Sequence, residues 1–259
     1  RTGTEGAMTL AVGFSNFMLG VIYTCYGLMT LIDLKRGWST RGFSHFGTAW
    51  VAMAFTCGPH HLAHGVHVLA GARPGGAMDL VAVVVGFPAG AIWFLLRIEA
   101  LTGGRGDRFI SDTPRWLVAV PYLAAGYLAF AGSAGVALLV SGSRFTPRMT
   151  PNVLLLGLYT LIGYYLLRTQ IANRPEAGGW SVSGLSLAVV FPTCGLMHVF
   201  YAVYAATGRY DVEAVGLAID WLAVPAAIYF VWVVRALYLG TLNDWNERPR
   251  AAGTPAVAL

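Results

Sequence analysis

Five side chains able to bind a soft metal ion crowd one stretch of the chain, TCGPHHLAHGVH: Cys57, His60, His61, His64 and His67. On a helix, at about 100° per residue, all five fall within an arc of about 120° and along about 15 Å of axis. A second stretch, TCGLMHVFYAVY, repeats the pattern. Cys194 and His198 keep the four-residue spacing, and Met197, Tyr201 and Tyr204 stand where the first stretch has His60, His64 and His67. Thiolate, imidazole and thioether together favour soft or borderline ions, Cu(I) first, with zinc and haem iron behind. A Cys and a His four residues apart share one helix face and can share one ion. Two such pairs on facing helices make a Cys₂His₂ set of Cys57, His61, Cys194 and His198, with His60 or Met197 as further ligands. His64 and His67 fit a second site, an ion access path or interfacial histidines. Met197, Tyr201 and Tyr204 read more readily as packing than as ligands.

The elements that must hold these residues are membrane spans. Of 259 residues, 56% are apolar and only 11% charged, and the mean hydropathy is +0.62. Soluble domains carry about 25% charged residues. A cytosolic enzyme, a disordered chain and a secreted disulfide scaffold are thereby excluded. All three cysteines (Cys25, Cys57, Cys194) fall in apolar runs, so buried thiols or metal ligands are expected rather than a disulfide. A span needs about 20 apolar residues, and seven windows meet that: 8–32, 45–71, 79–100, 115–140, 150–172, 182–207 and 214–239. On one side of these seven helices lie Arg1, Arg73, Arg144, Arg148 and Arg209; the rest of the 17 Lys and Arg lie on the other. The positive-inside rule puts the N-terminus outside and the C-terminus in the cytoplasm, in a multi-pass protein of the cytoplasmic (plasma) membrane. That asymmetry accounts for the net charge of +5, and no nucleic-acid partner is called for.

Shifted by 137 residues, the chain falls on itself without gaps. Leu19-Gly20 meets Leu156-Gly157, Thr56-Cys57-Gly58 meets Thr193-Cys194-Gly195, His61 meets His198, Gly71 meets Gly208 and Pro88-Ala89 meets Pro225-Ala226. Helices 1–3 and 5–7 are thus read as two three-helix repeats, at 1–103 and 149–242. The linker 104–148 carries helix 4, and 243–259 is a polar tail. Four spans separate the repeats, so they run parallel, about an axis along the membrane normal. Cys25 has no counterpart, since Ile162 stands in its place. Asp220 and Asn16 are further polar groups at membrane depth, where such groups face the bundle interior. Pro88 and Pro225 are expected to kink helices 3 and 7. Trp38, Trp50, Trp116, Trp180 and Tyr238 read as an aromatic belt, and His45 as an interface residue.

The first half resembles the transmembrane sensor domain of ethylene receptors, on "SNFMLGVIY" in helix 1 and "FGTAWVAMAFTCGPHHLAHGVHVL" in helix 2. "VVFPTCGLMHVFYAVY" carries the same C-G-x-x-H in helix 6. The resemblance implies a three-helix unit binding Cu(I) through Cys57 and His61, and likewise through Cys194 and His198. Asn16 stands where those receptors carry Asp. The expectation is an integral membrane copper protein that binds a small ligand, does redox chemistry or handles copper. Two alternatives stand beside it. One is a b-type haem electron-transfer protein ligated by His61 and His198. The other is an accessory subunit with a protein partner or further copies of itself. A histidine-box oxygenase fits less well, because only six His are present.

Overall fold

The structure is a computed structural model that describes residues 3–71, 76–140, 146–207 and 215–245. It is built from seven helices: α1 (Gly3–Arg41), α2 (His45–Leu69), α3 (Ala77–Leu101), α4 (Val120–Val140), α5 (Thr150–Ala177), α6 (Val182–Ala206) and α7 (Val215–Tyr238). A 3₁₀ turn over Arg115–Ala119 leads into α4. Six of them, all but α2, are long and apolar enough to cross a membrane, which marks a multi-pass membrane protein. The exception, α2, is as long as α3 but carries five of the six histidines.

Two helices outrun the apolar windows. α1 continues through the charged segment DLKRGWSTR, and α5 through RTQIANRPEA. Charge ends an apolar run but does not break a helix. Each of the two stops at a glycine in the left-handed region, Gly42 at φ 75° and Gly178 at φ 69°, where residues with a Cβ are strained. The helices that come next share one start signal. Ser44 Oγ accepts from Gly47 N, and Ser181 Oγ accepts from Gly184 N, each at 2.9 Å.

The packing follows a pseudo-two-fold pattern. α1 packs on α2 and α3, and α5 packs on α6 and α7; α2–α7 and α3–α6 contacts close the ring. α4 lies outside this ring against α6, and its membrane-length stretch buries none of its residues. The linker before it is strapped down. β1 (Phe109–Ile110) pairs antiparallel with β2 (Trp180–Ser181). Asp107 accepts from Ser183 N at 2.9 Å and from Ser181 Oγ at 2.6 Å, tying the linker to the start of α6.

The gapless offset of 137 holds for α2 with α6, but not for α1 with α5. There the matching residues are 136 apart: Thr24 and Thr160 bond the carbonyl four residues back at 2.8 and 2.7 Å, and Gly27 and Gly163 each meet the following helix. The connection into α6 is one residue longer. Ile162 therefore matches Tyr26, both fully buried, rather than Cys25. Two of the expected belt residues are core instead. Trp50 and Trp180 are buried, whereas Trp38 and Trp116 are exposed. Pro88 and Pro225 sit inside continuous helices. Arg1, Arg73, Arg144, Arg209, Arg248, Arg250 and Gly208, which bear on the orientation and the repeat, lie outside the described residues.

Candidate metal centre between α2 and α6

α2 and α6 face each other across the bundle axis, and Cys57 and Cys194 line one small void there. A phenol supports each thiol, and each comes from the opposite half. Tyr159 Oη on α5 lies 3.2 Å from Cys57 Sγ, and Tyr23 Oη on α1 lies 3.9 Å from Cys194 Sγ. Both tyrosines are almost wholly buried. The void is largely filled and is also lined by Trp50, Met53 and Phe191.

One helical turn further along, His61 and His198 are held alike. Each ring packs edge-on against the tyrosine of its own half, Tyr23 at 5.5 Å and Tyr159 at 5.3 Å between centroids. Each Nδ1 bonds an asparagine Oδ1: His61 to Asn16 at 2.8 Å, His198 to Asn152 at 2.7 Å. The amides are oriented by their other ends. Asn16 Nδ2 donates to Val12 O at 2.9 Å, and Asn152 Nδ2 donates to Arg148 O at 3.0 Å. Oδ1 can only accept, so it is Nδ1 of each imidazole that carries the proton. Nε2 is left with its lone pair, the arrangement a metal-binding imidazole needs. His61 Nε2 is buried and has no hydrogen-bond partner.

The remaining polar residues break the symmetry. His60 Nδ1 lies 3.0 Å from Asp220 Oδ1, both buried. Asn152 Nδ2 also reaches Asp220 Oδ2 at 3.2 Å. A buried chain thus runs His60–Asp220–Asn152–His198. At the matching positions of the other seam stand Met197 and Val83, and Met197 packs with Ala82 and Tyr201 in an apolar cluster. His64 is buried with its ring 5.5 Å from Tyr201, while His67 and Tyr204 are half-buried. His45 Nδ1 lies 2.8 Å from Tyr229 Oη on α7.

The structure therefore brings the two thiols together and sets the two imidazoles a turn away. Among the described residues, no group of three or more His, Cys, Asp or Glu is gathered closely enough to hold one ion. Asn152, Tyr23 and Tyr159 carry no local signal in the sequence. They stand out only when α1 is matched to α5 at 136, which aligns Asn16 with Asn152 and Tyr23 with Tyr159. Comparison with known proteins returns no match: no family model fits the chain, and no curated protein or solved structure matches it.

Proposed function

We propose that the chain is a seven-span membrane protein, N-terminus outside, in which two parallel three-helix repeats carry a Cu(I) site on their shared axis. The observation that supports this most directly is His61. Its Nε2 is buried and unbonded while its Nδ1 is fixed by Asn16, one turn from a facing pair of thiols. A buried acceptor without a partner costs about 1–3 kcal/mol unless something binds it. Cys57 and Cys194 are the primary ligands, because two facing sulfurs suit a soft monovalent ion. His61 and His198, one helical turn from the sulfurs, are the candidate imidazole donors that would have to close in on a bound ion. When bound, copper supplies a polarisable centre able to take up one neutral ligand or exchange one electron.

The chain's own residues do the rest. Tyr159 and Tyr23 donate to the sulfurs and stabilise them as thiolates. Asn16 and Asn152 hold each imidazole in the tautomer and orientation a metal requires. The aromatic rings around the sulfurs, Trp50, Phe191 and Tyr26, keep bulk water out.

Purified full-length protein, loaded with Cu(I) under reducing conditions, is expected to retain about one copper per chain. The Cys57→Ser and Cys194→Ser variants should lose it, and Cys25→Ser should keep it. Copper at background in the wild type, or unchanged copper in the double serine variant, overturns the assignment. A Soret band from bound haem would replace it with the haem reading.

A further inference from the structure

A second site lies at the far end of the first half, away from the thiols. There the last turns of α1, the start of α2 and the last turns of α3 enclose a cavity of about 380 Å³. Its chemistry is one-sided. Among the described residues, Arg36, Arg41 and Arg97 line it against a single carboxylate, Asp33. Asp33 already accepts from Arg97 Nη2. Two further donors on the wall have nothing to bond: Trp50 Nε1 and Arg97 Nε are both buried without a partner. Trp50 is 4% exposed. A buried N–H left unsatisfied costs about 1–3 kcal/mol, and both of these belong to residues lining a space where, among the described residues, positive charge is in excess. Only an acceptor carrying negative charge answers both.

The walls also suit a ligand with an apolar part. The Arg97 guanidinium lies 6.0 Å from the centre of the Trp93 ring, and Arg41 lies 5.9 Å from that of Trp245. Trp245 forms part of its wall. Its Nε1 donates to Arg41 O at 3.0 Å, and its ring lies over Gly37, where a Cβ would come within 2.4 Å of it. Asp244 beside it accepts from Phe46 N at 2.8 Å.

The position fits as well. α1 has 39 residues, about 58 Å of helix at 1.5 Å per residue, nearly twice the hydrocarbon thickness of about 30 Å. Its charged last turns, which form this wall, thus stand at the level of the lipid headgroups. The second half does not repeat these residues. Leu187, Phe230 and Val234 occupy the places of Trp50, Trp93 and Arg97.

We propose that this cavity binds a phosphate-class oxyanion, held by Arg36, Arg41 and Arg97 with Trp50 Nε1 as a neutral donor. Guanidinium groups match phosphate geometry, and basic pockets between helices at a membrane surface take anionic headgroups. The phosphate can belong to an anionic phospholipid or to a free phosphate monoester. The proposal is independent of the copper site and can fail or hold without it.

The test uses the full-length chain in phosphatidylcholine nanodiscs. One arm adds phosphatidylglycerol; the other adds glycerol 3-phosphate in solution. Tryptophan fluorescence and the thermal midpoint are followed in both. Saturable quenching with a raised midpoint is expected in one arm, and which arm responds identifies the source. The Arg36→Gln/Arg41→Gln double variant should bind at least tenfold more weakly. Trp50→Phe, with each response measured against the variant's own starting midpoint, should weaken binding severalfold. Arg108→Gln, outside the cavity, should bind like wild type. No response in either arm overturns the proposal. So does a response that the double variant keeps, or one that Arg108→Gln loses equally, since either would reduce it to general surface charge.

Discussion

At the level of the thiols, α1–α3 and α5–α7 present the same groups: an asparagine, a tyrosine, a cysteine and a histidine each. Beside His61 and His198 they part company. The α2–α7 seam buries His60 against Asp220, whereas the α3–α6 seam buries Met197 beside Ala82. A buried ion-pairing seam is no better for stability than a well-packed apolar one, and often worse. The apolar seam shows that this fold does not need the polar one. The halves share the groups around the axis and differ in the seam beside them, where one is polar and the other apolar.

The sharpest way to break this comparison is to remove the asparagines in turn. Asn16→Leu and Asn152→Leu each free an imidazole from its orienting acceptor, and lost outer-shell support typically costs metal affinity 10–100-fold. Asn16→Asp keeps an oxygen acceptor toward His61 Nδ1 and should retain most of the binding. Asn152→Leu should cost more than Asn16→Leu, because Asn152 also donates to Asp220. Copper competition with a chelator of known affinity measures all three. Equal, negligible effects would mean the asparagines serve packing alone.

A smaller effect is expected at the specialised seam. Asp220→Val leaves His60 buried without its carboxylate and should lower stability by about 1–3 kcal/mol. His60→Met added to it rebuilds the other seam's pair and should recover part of the loss, with a coupling energy of about 0.5–3 kcal/mol. Thermal unfolding in detergent reads this cycle. If the double variant is merely the sum of the singles, the two seams are not interchangeable solutions to one packing problem.

The membrane-spanning character and the twin Cys–His stretches were legible in the sequence because each rests on a local signal: apolar length, and helical spacing within a dozen residues. What escaped depended on register between distant helices. A gapless shift of 137 put Val153 opposite Asn16 and Thr160 opposite Tyr23. The extra residue ahead of α6 restores Asn152 and Tyr159, and the packing of Gly27 and Gly163 against the next helix, with the matching Thr24 and Thr160 bonds, fixes that register. Asp220 was visible as an isolated carboxylate, but its pairing with His60 depends on α2 lying against α7, a contact no spacing encodes. Trp50 read as a belt residue because it sits one turn into α2. It is buried because α3 lays Trp93 over it, ring centres 4.6 Å apart.

The smallest test concerns how closely the helices of each half approach. On α2, Gly58 faces the α1 backbone: a Cβ there would lie 2.7 Å from Thr24 N. Its counterpart Gly195 on α6 meets no backbone so near, and the nearest atom is Tyr127 Oη of α4, at 2.7 Å. That phenol fills the wider α5–α6 seam and bonds Thr160 Oγ1 at 2.9 Å. Gly58→Ala forces two helices apart, so about 1–3 kcal/mol of destabilisation is expected. Gly195→Ala asks only the tip of one side chain to move and should cost less than about 1 kcal/mol. Tyr127→Phe, which removes the obstructing oxygen, should make Gly195→Ala neutral while leaving Gly58→Ala as damaging as before. Equal losses at the two glycines, read as shifts in thermal midpoint, would show that α4 is not the filler that lets the second half pack more loosely than the first.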